Sequence, residues 1–202
     1  MTKILYLHGF ASSADSTKAK VIKSFVKKNT SSTKILIPNL DNNIKRAYQQ
    51  IDEIIKTESP SSIIGSSLGG FFGIYFAEKY DLLCVNINPA IPPIDMSEYL
   101  GENQNYSTGE KFVIDQDQLD WLGLMNKKIS PDIGHNKKSL LKCKYCLSFG
   151  LGDNFTFESD LKKINPKIKI EVYDHTVDYK FWIKHFFYWL WKSIRFRKYS
   201  PK

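Results

Sequence analysis

The stretch IIGSSLGGFFG, residues 63–73, joins an apolar run to an apolar helical pattern through a turn rich in glycine and serine. Its GSSLG segment matches the pattern G-x-S-x-G when Ser67 is the central residue. If Ser66 were central, Ile64 and Leu68 would stand where glycines are required. In a nucleophile elbow a strand turns sharply into a helix and presents a serine at its tip, with small residues nearby because the two backbones come close. The pattern therefore predicts an elbow with Ser67 as the nucleophile.

Two other uses of a glycine-rich turn are excluded by the neighbouring residues. A phosphate-binding P-loop requires a lysine followed by serine or threonine, and no lysine follows this turn. A dinucleotide-binding fingerprint would place G-x-G-x-x-G in the first strand–helix turn, which here reads HGFASS. We therefore expect no cofactor.

On both sides of the elbow, short apolar runs alternate with helical patterns. The runs are KILYLHG, TKILIPNL, SSIIGSS, LLCVNINPAIPP, LLKCKYCLSFGLGD and KIKIEVYD. Helical patterns cover residues 16–29, 42–57, 68–80 and 155–164, and a closing helix begins near Asp178. This alternation predicts a mostly parallel central sheet with helices on both faces, a three-layer α/β fold. Chemistry in such folds gathers at the carboxyl ends of the strands, where the elbow lies.

The domain organisation is predicted to be simple. The 202 residues are of a length typical of one domain, so we expect a single domain over residues 1–202. The rhythm of strands and helices is lost between about residues 94 and 138, which are polar and predict a lid-like insertion of loops and short helices.

Composition and charge narrow the functional classes. The net charge is +8, from 29 basic and 21 acidic residues, but the lysines are scattered, which is typical of a solvated surface and not of a nucleic-acid site. Three cysteines, with no secretory leader, favour reduced thiols and a cytoplasmic location. The CKYC segment falls in a predicted strand, where its cysteines point to opposite faces, so no metal site is expected. The oligomeric state is left open.

An oxyanion hole is predicted beside the elbow. A serine nucleophile in this architecture uses the backbone N–H of the next residue, which is Leu68, and a second N–H from the loop after an earlier strand. The LHGF segment ends the first strand and predicts Phe10, or its neighbour Ala11, as the second donor. His8 stands at the edge of this arrangement and is a candidate pocket residue.

The remaining members of a catalytic triad should follow Ser67 in the order acid, then histidine. Asp153 follows a predicted strand in the segment GLGD, and His175 directly follows the last predicted strand. Both therefore stand at carboxyl ends of strands. Less suitable positions, inside helices or in the irregular segment, are held by Asp132, His135, Asp160 and His185. The sequence predicts that Ser67 attacks an acyl carbonyl, His175 transfers the proton and Asp153 orients the imidazole.

These pieces together resemble a known family. The segments LYLHGF.SS, GSSLGG, NPA, YLGENQN..TG and GD, with a late histidine, are similar to the YqiA/YcfP-like small esterases. The resemblance implies a compact α/β-hydrolase core and activity on short acyl esters. By motif, it assigns the nucleophile to Ser67, the acid to Asp153 and the base to His175. The YLGENQN segment lies where this fold inserts lids and pocket walls, which makes Glu102, Asn103 and Gln104 candidate pocket residues.

Two features leave alternatives open. His175 stands in VYDHTVD, where members of the family tend to have glycines before the histidine and an aromatic residue after it. This favours, as an alternative to a serine esterase acting on small acyl esters, a degenerate hydrolase that only binds a ligand. The closing segment FWIKHFFYWLWKSIRFRKYSPK is aromatic and basic, and is expected to pack on the sheet. Peripheral contact with an anionic membrane is the alternative for this helix.

Overall fold

A parallel sheet forms the centre of this computed structural model, which describes residues 1–87, 89–90, 96–129, 143–149 and 169–173. Strands within these ranges are β1 (Thr2–Leu7), β2 (Thr33–Leu36), β3 (Ser62–Ser66), β4 (Leu83–Ile87), β5 (Gly101–Gln104), β6 (Lys111–Ile114), β7 (Cys143–Phe149) and β8 (Lys169–Tyr173). Six of them pair in the order β2-β1-β3-β4-β7-β8, and every pairing is parallel. The six predicted strands and their parallel sheet are thereby confirmed.

Helices follow the predicted pattern over the first half of the chain. The described residues contain α1 (Thr17–Asn29), α2 (Ile44–Glu58), α3 (Leu68–Tyr80) and α4 (Gln116–Ile129). The first three match the predicted helices within two residues at each end. The helices expected at residues 155–164 and from Asp178 onward lie outside the described residues.

The sheet is buried on both faces because its strands carry apolar residues at successive positions. Side chains alternate between the faces, so Ile4 and Tyr6 of β1 belong to one hydrophobic cluster while Leu5 and Leu7 belong to the other. The first cluster is closed by α1. The second is larger and contains side chains from α2, α3 and α4. This arrangement has the three layers that the sequence predicts.

The segment predicted as loops and short helices is more regular than expected. A 3₁₀ turn at Ser97–Tyr99 leads into the antiparallel hairpin of β5 and β6, and α4 runs for 14 residues. The expectation was wrong for the residues of β5, β6 and α4, whereas residues 105–110 form a turn, as expected. The sequence GENQ of β5 contains no apolar side chain larger than that of glycine, so it lacks the apolar alternation that indicates a strand. In α4, the apolar residues Leu119, Leu122 and Met125 have helical spacing, but polar residues precede and follow this short apolar stretch.

The pairing of β1 with β3 decides where the site forms. Leu7 lies opposite Gly65, so the loop that follows β1 begins beside the turn that follows β3. Both lie at the carboxyl edge of the sheet, as does the end of β4, since all these strands run in the same direction. In the described part of the chain, no helix combines the length and the hydropathy required to cross a membrane.

Candidate active site

Ser67 links β3 to α3 and has a backbone conformation that L-residues avoid. Its φ is 54° and its ψ is −122°. Ser59 and Asp81 also have positive φ, but their ψ values of 58° and 44° place them in the ordinary left-handed region at helix C-termini. Ser67 lies outside that region and is strained, which is typical of functional sites.

Four backbone hydrogen bonds hold Ser67 in this conformation. Its N–H donates to the carbonyl oxygen of Ile87 (3.1 Å), which ends β4. Its carbonyl oxygen accepts from the N–H groups of Gly70 (2.8 Å), Phe71 (3.2 Å) and Ala90 (3.0 Å). Strain persists only where the surroundings impose it, and here the neighbouring strand, the helix and the loop after β4 all contribute.

Glycines provide the clearance that this turn requires. A Cβ atom on Gly65 would lie 2.4 Å from the carbonyl oxygen of Gly69, and one on Gly69 would lie 2.3 Å from the carbonyl oxygen of Leu7. Real Cβ atoms do not come so close to backbone atoms. These are the two glycines of the predicted elbow pattern, and the backbone contacts explain why no side chain fits at either position.

The side chain of Ser67 is not used to cap the helix that it begins. Ser16 accepts a hydrogen bond from the N–H of Ala19 at the start of α1, and Asn43 caps α2 in the same manner. Ser67 makes no such bond at the start of α3. Within the described residues its hydroxyl has no hydrogen-bond partner, and the residue is partly exposed. The hydroxyl is therefore available for reaction.

Ser66 differs from Ser67 both in exposure and in the hydrogen bonding of its hydroxyl. It is only 2% exposed, and its hydroxyl accepts a hydrogen bond from the ammonium group of Lys18 at 3.4 Å. Burial lowers the pKa of Lys18, whose side chain covers this side of the turn. The structure thus separates the two serines in the way that the sequence pattern predicts.

Two backbone N–H groups without a partner among the described residues belong to segments that adjoin Ser67. Leu68 is the first residue of α3, so its N–H has no acceptor within the helix, and it has none elsewhere in the described ranges. Gly9, in the loop after β1, is so close that a Cβ built on it would lie 3.1 Å from the Ser67 Cβ. Phe10 follows Gly9, and its N–H likewise has no partner among the described residues. Ser67, Leu68 and Phe10 are thereby brought to one place.

His8 is held by both ring nitrogens. The N–H of Leu40 donates to its Nε2 at 3.0 Å, so Nε2 carries no proton and Nδ1 donates to the carbonyl oxygen of Gly9 at 2.9 Å. Burial lowers the pKa of His8, while its bond to Gly9 acts in the opposite direction. The ring is neutral at pH 7 and joins β1 to the loop after β2. It has no free nitrogen to act as a general base.

A cleft opens beside the two backbone donors. It is small and open to solvent. Its lining is largely apolar, with polar groups at Asp41 and Asn42. The lining residues include His8, Phe10, Leu40, Ile44, Leu68 and Phe72.

The three candidate pocket residues of β5 do not line this cleft. Glu102 and Gln104 are exposed, and the side-chain amide of Asn103 donates to the carbonyl oxygens of Tyr99 (2.6 Å) and Gly101 (3.0 Å). A pocket role for these residues stays a prediction. The next residue, Asn105, was not predicted and is 3% exposed. It contacts the loop after β1, and the Asn-x-Ser-Thr-Gly turn signal that begins with it indicates an ordered turn.

The predicted acid and base lie outside the described residues. β7 ends at Phe149, four residues before Asp153, and β8 ends at Tyr173, two residues before His175. Both strands run parallel to β3 in the same sheet, so their carboxyl ends lie at the same edge as Ser67. The assignments of Asp153 and His175 stay predictions. Among the described residues, no cluster of three His, Cys, Asp or Glu side chains could hold a metal ion.

A family model matches residues 3–141, which is more than half of the chain. The family is described as an uncharacterised protein family, UPF0227. It is the family to which the sequence motifs pointed, so that prediction is confirmed. The matched residues include the elbow, the loop after β1 and the β5–β6 hairpin.

Solved structures with a similar fold are α/β-hydrolases. Est1E from Butyrivibrio proteoclasticus is 12% identical with a TM-score of 0.64, and the match covers 96% of this chain and 90% of Est1E. Alpha/beta hydrolase domain-containing protein 10 from mouse is 14% identical with a TM-score of 0.57, over 85% and 79% of the two chains. An esterase domain from Rhodothermus marinus is 16% identical with a TM-score of 0.52, over 88% and 80%. The fold is therefore that of the α/β-hydrolases.

Proposed function

We propose that this chain, which belongs to the UPF0227 family, is a serine hydrolase that cleaves small carboxylic esters or thioesters through an acyl-enzyme. The observation that carries the proposal is the state of Ser67. Its backbone is strained at the tip of an elbow, and its hydroxyl is left uncapped next to two backbone donors. An ordinary helix start needs neither the strain nor the free hydroxyl.

The proposed reaction begins with attack of the Ser67 Oγ on the carbonyl carbon of the substrate. His175 accepts the hydroxyl proton as the new C–O bond forms, and the carbonyl oxygen becomes an oxyanion. The N–H groups of Leu68 and Phe10 stabilise this charge. When the tetrahedral intermediate collapses, the bond to the leaving group breaks and His175 donates the proton to the departing alcohol or thiol. Asp153 holds the imidazole in the required tautomer.

Hydrolysis of the acyl-enzyme repeats these steps with water. His175 removes a proton from the attacking water molecule, the same two N–H groups stabilise the second oxyanion, and the proton returns to the Ser67 oxygen as the acid leaves. The overall reaction consumes one water molecule and regenerates the enzyme. It needs no group beyond the residues of the chain, the substrate and water.

The cleft supports small acyl groups as substrates. Its wall is formed largely by apolar side chains, and it includes both residues that supply the proposed donors. Est1E, which shares the fold, has been solved with ferulic acid bound. The apolar lining of the cleft in this chain favours a short aliphatic or small aromatic acyl group.

Labelling with a fluorophosphonate, together with turnover of p-nitrophenyl acetate and butyrate, tests the nucleophile. The Ser67→Ala variant should lose labelling and at least about 10⁴-fold in kcat, because the attacking atom is gone. Ser66→Ala is the matched control, since it removes the neighbouring hydroxyl, and it should keep both activities within a few fold. Undiminished labelling of the Ser67→Ala variant would contradict the assignment.

The other two triad members are tested with the same assays. His175→Ala and Asp153→Ala should each lower kcat by about 10⁴-fold or more. Wild-type protein that neither labels nor turns over an ester would favour the alternative of a non-catalytic binding protein. This alternative is based on the VYDHTVD sequence around His175, which departs from the pattern of the family.

A further inference from the structure

The tip of the β5–β6 hairpin contacts the loop that carries the proposed oxyanion donor. The side-chain amide of Asn105 donates to the carbonyl oxygen of Ser12 at 3.0 Å, although the two residues are 93 positions apart. The N–H of Tyr106 donates to the carbonyl oxygen of Ala11 at 2.9 Å. The hairpin therefore donates hydrogen bonds to the carbonyl groups of the two residues that follow Phe10.

Asn105 uses every hydrogen-bonding group of its side chain. The second proton of its amide goes to the Oδ1 of Asn42 at 2.8 Å, in the loop after β2. Its own Oδ1 accepts from the N–H groups of Ser107 (2.9 Å) and Thr108 (3.1 Å), which shapes the hairpin turn. The nitrogen of the side chain thus faces two loops of the site, while the oxygen faces its own turn. This division allows the two roles to be separated by mutation.

Aromatic contacts add to the hydrogen bonds. The ring of Phe10 lies 5.0 Å from that of Tyr99, just before β5, and 5.5 Å from that of Phe112 in β6, measured between ring centroids. Ala11 has a positive φ of 50°, which is uncommon for a residue with a side chain. The hairpin therefore contacts the ring of Phe10 and the carbonyl groups of the two residues that follow it, next to a residue in an uncommon conformation.

We propose that Asn105 is a positioning residue that holds the Phe10 N–H where it can stabilise the oxyanion formed at Ser67. This inference rests on the proposed function and assigns to the hairpin a part in catalysis. Oxyanion donors act only when they lie within hydrogen-bond distance of the developing charge, and misplacement by ~1 Å can cost ~100-fold in rate. Asn105 touches neither substrate nor the reacting atoms, and acts through residues 10–12.

Two variants separate loop positioning from the integrity of the turn. Asn105→Ala removes the bonds of the side chain to the two loops and also its bonds within the hairpin turn. Asn105→Asp keeps an acceptor for Ser107 and Thr108, but presents a carboxylate to the oxygens of Ser12 and Asn42, which it repels. Thr108→Ala is the control, because it removes a hydroxyl that accepts from the Glu110 N–H at 3.3 Å within the same turn and has no bond to the loop after β1.

Steady-state hydrolysis of p-nitrophenyl butyrate supplies the first measurement. Both Asn105 variants should lower kcat by about 10- to 100-fold with KM within about twofold of wild type, since an interaction of the transition state is weakened. Thr108→Ala should stay within twofold in both constants. A wild-type kcat in the Asn105→Asp variant would overturn the proposal. It would mean that Asn105 only stabilises the hairpin turn and does not position the loop after β1.

Amide hydrogen exchange of residues 8–13 supplies the second measurement and does not depend on turnover. Exchange in this loop should be at least about tenfold faster in both Asn105 variants and unchanged in Thr108→Ala. If wild-type protein hydrolyses no ester, the proposed function fails, while faster exchange would still support the positioning of the loop by Asn105. Exchange equal to wild type in both variants would overturn that positioning.

Discussion

The two ends of α3 differ in backbone conformation and in the hydrogen bonding of their side chains. At its N-terminus the chain is strained at Ser67, the glycines exclude side chains, and the hydroxyl best placed to cap the helix does not cap it. At its C-terminus, Lys79 and Tyr80 both donate to the carboxylate of Asp52 in α2, at 2.5 and 2.7 Å. Asp81 then ends the helix in the ordinary left-handed conformation. Among the described residues, the N-terminal end leaves the Ser67 hydroxyl and the Leu68 N–H without a partner, whereas the C-terminal end pairs its polar side chains with Asp52.

The middle and the C-terminal end of α3 stabilise the fold, whereas its N-terminal end is strained. The middle of α3 is buried on all sides, and the Asp52 contacts join its end to α2. The ammonium group of Lys79 also lies 5.2 Å from the ring centroid of Tyr80 and 5.4 Å from that of Tyr48. Contacts of this kind offset the strain at Ser67. We therefore expect changes at the N-terminal end to affect reactivity, and changes at the C-terminal end to affect stability alone.

The largest effect is expected from Gly65→Ala, which breaks the N-terminal end. The added methyl group would meet backbone atoms of Gly69 and Gly70 at 2.4 and 2.5 Å, so strand and helix must separate. We expect a loss of about 3 kcal/mol or more in the free energy of unfolding, measured in urea, and loss of fluorophosphonate labelling.

Gly123→Ala in α4 is the matched control for that substitution. A Cβ at this position would meet nothing within 4 Å, and alanine is the better helix former. This variant should be about 0.5 to 1 kcal/mol more stable and label at the wild-type rate. A Gly65→Ala variant as stable as wild type would contradict the close approach at the elbow.

A smaller effect is expected from Asp52→Asn at the other end of the helix. Burial raises the pKa of Asp52, but hydrogen bonds from Lys56, Lys79 and Tyr80 outweigh it and lower the pKa to about 2. Removing the charge weakens these bonds, and we expect a loss of about 1 to 3 kcal/mol in the free energy of unfolding at pH 7, with labelling unchanged. Glu53→Gln, which neutralises an exposed carboxylate on the same helix, should change stability by less than about 0.5 kcal/mol.

The pH dependence of this difference follows from the direction of the shift. The pKa of an aspartate is about 3.9 in an unfolded chain, so the ionised form of Asp52 favours the folded state. Its contribution is fully present above about pH 4 and is lost as the pH falls from there toward 2. Urea unfolding of the wild type and the Asn variant should therefore differ most near pH 7 and converge in acid. A gap that widened in acid would contradict the assigned contacts.

The smallest change in the free energy of unfolding is expected from substitutions at the N-terminal caps of α2 and α3. Asn43→Ala should cost about 1 kcal/mol, because two N–H groups at the start of α2 lose their acceptor. Ser67→Ala should change the free energy of unfolding by less than about 0.5 kcal/mol, since no cap bond is lost at α3. Urea unfolding of the two variants measures the difference. A loss at Ser67 as large as that at Asn43 would mean that the hydroxyl supports the helix.

Much of this arrangement is readable from local patterns. The six strands of the sheet, α1 to α3 and the choice of Ser67 over Ser66 all depend on residues within a few positions of one another. The hairpin was missed because β5 is polar on both faces, so that nothing in its composition indicates a strand. Asn105 was missed although its neighbours at 102–104 were selected. Its partners, Ser12 and Asn42, are 93 and 63 positions away in the chain.

By itself the sequence determined the sheet, the elbow and the choice of Ser67 as the candidate nucleophile, because hydrophobic periodicity and glycine spacing act over short distances along the chain. The tertiary structure alone decided the neutral state of His8, which depends on the N–H of Leu40 and on burial. It also decided the contact of the hairpin with the loop after β1. Both depend on groups that are distant in sequence, since Leu40 is 32 positions from His8 and Asn105 is 93 positions from Ser12.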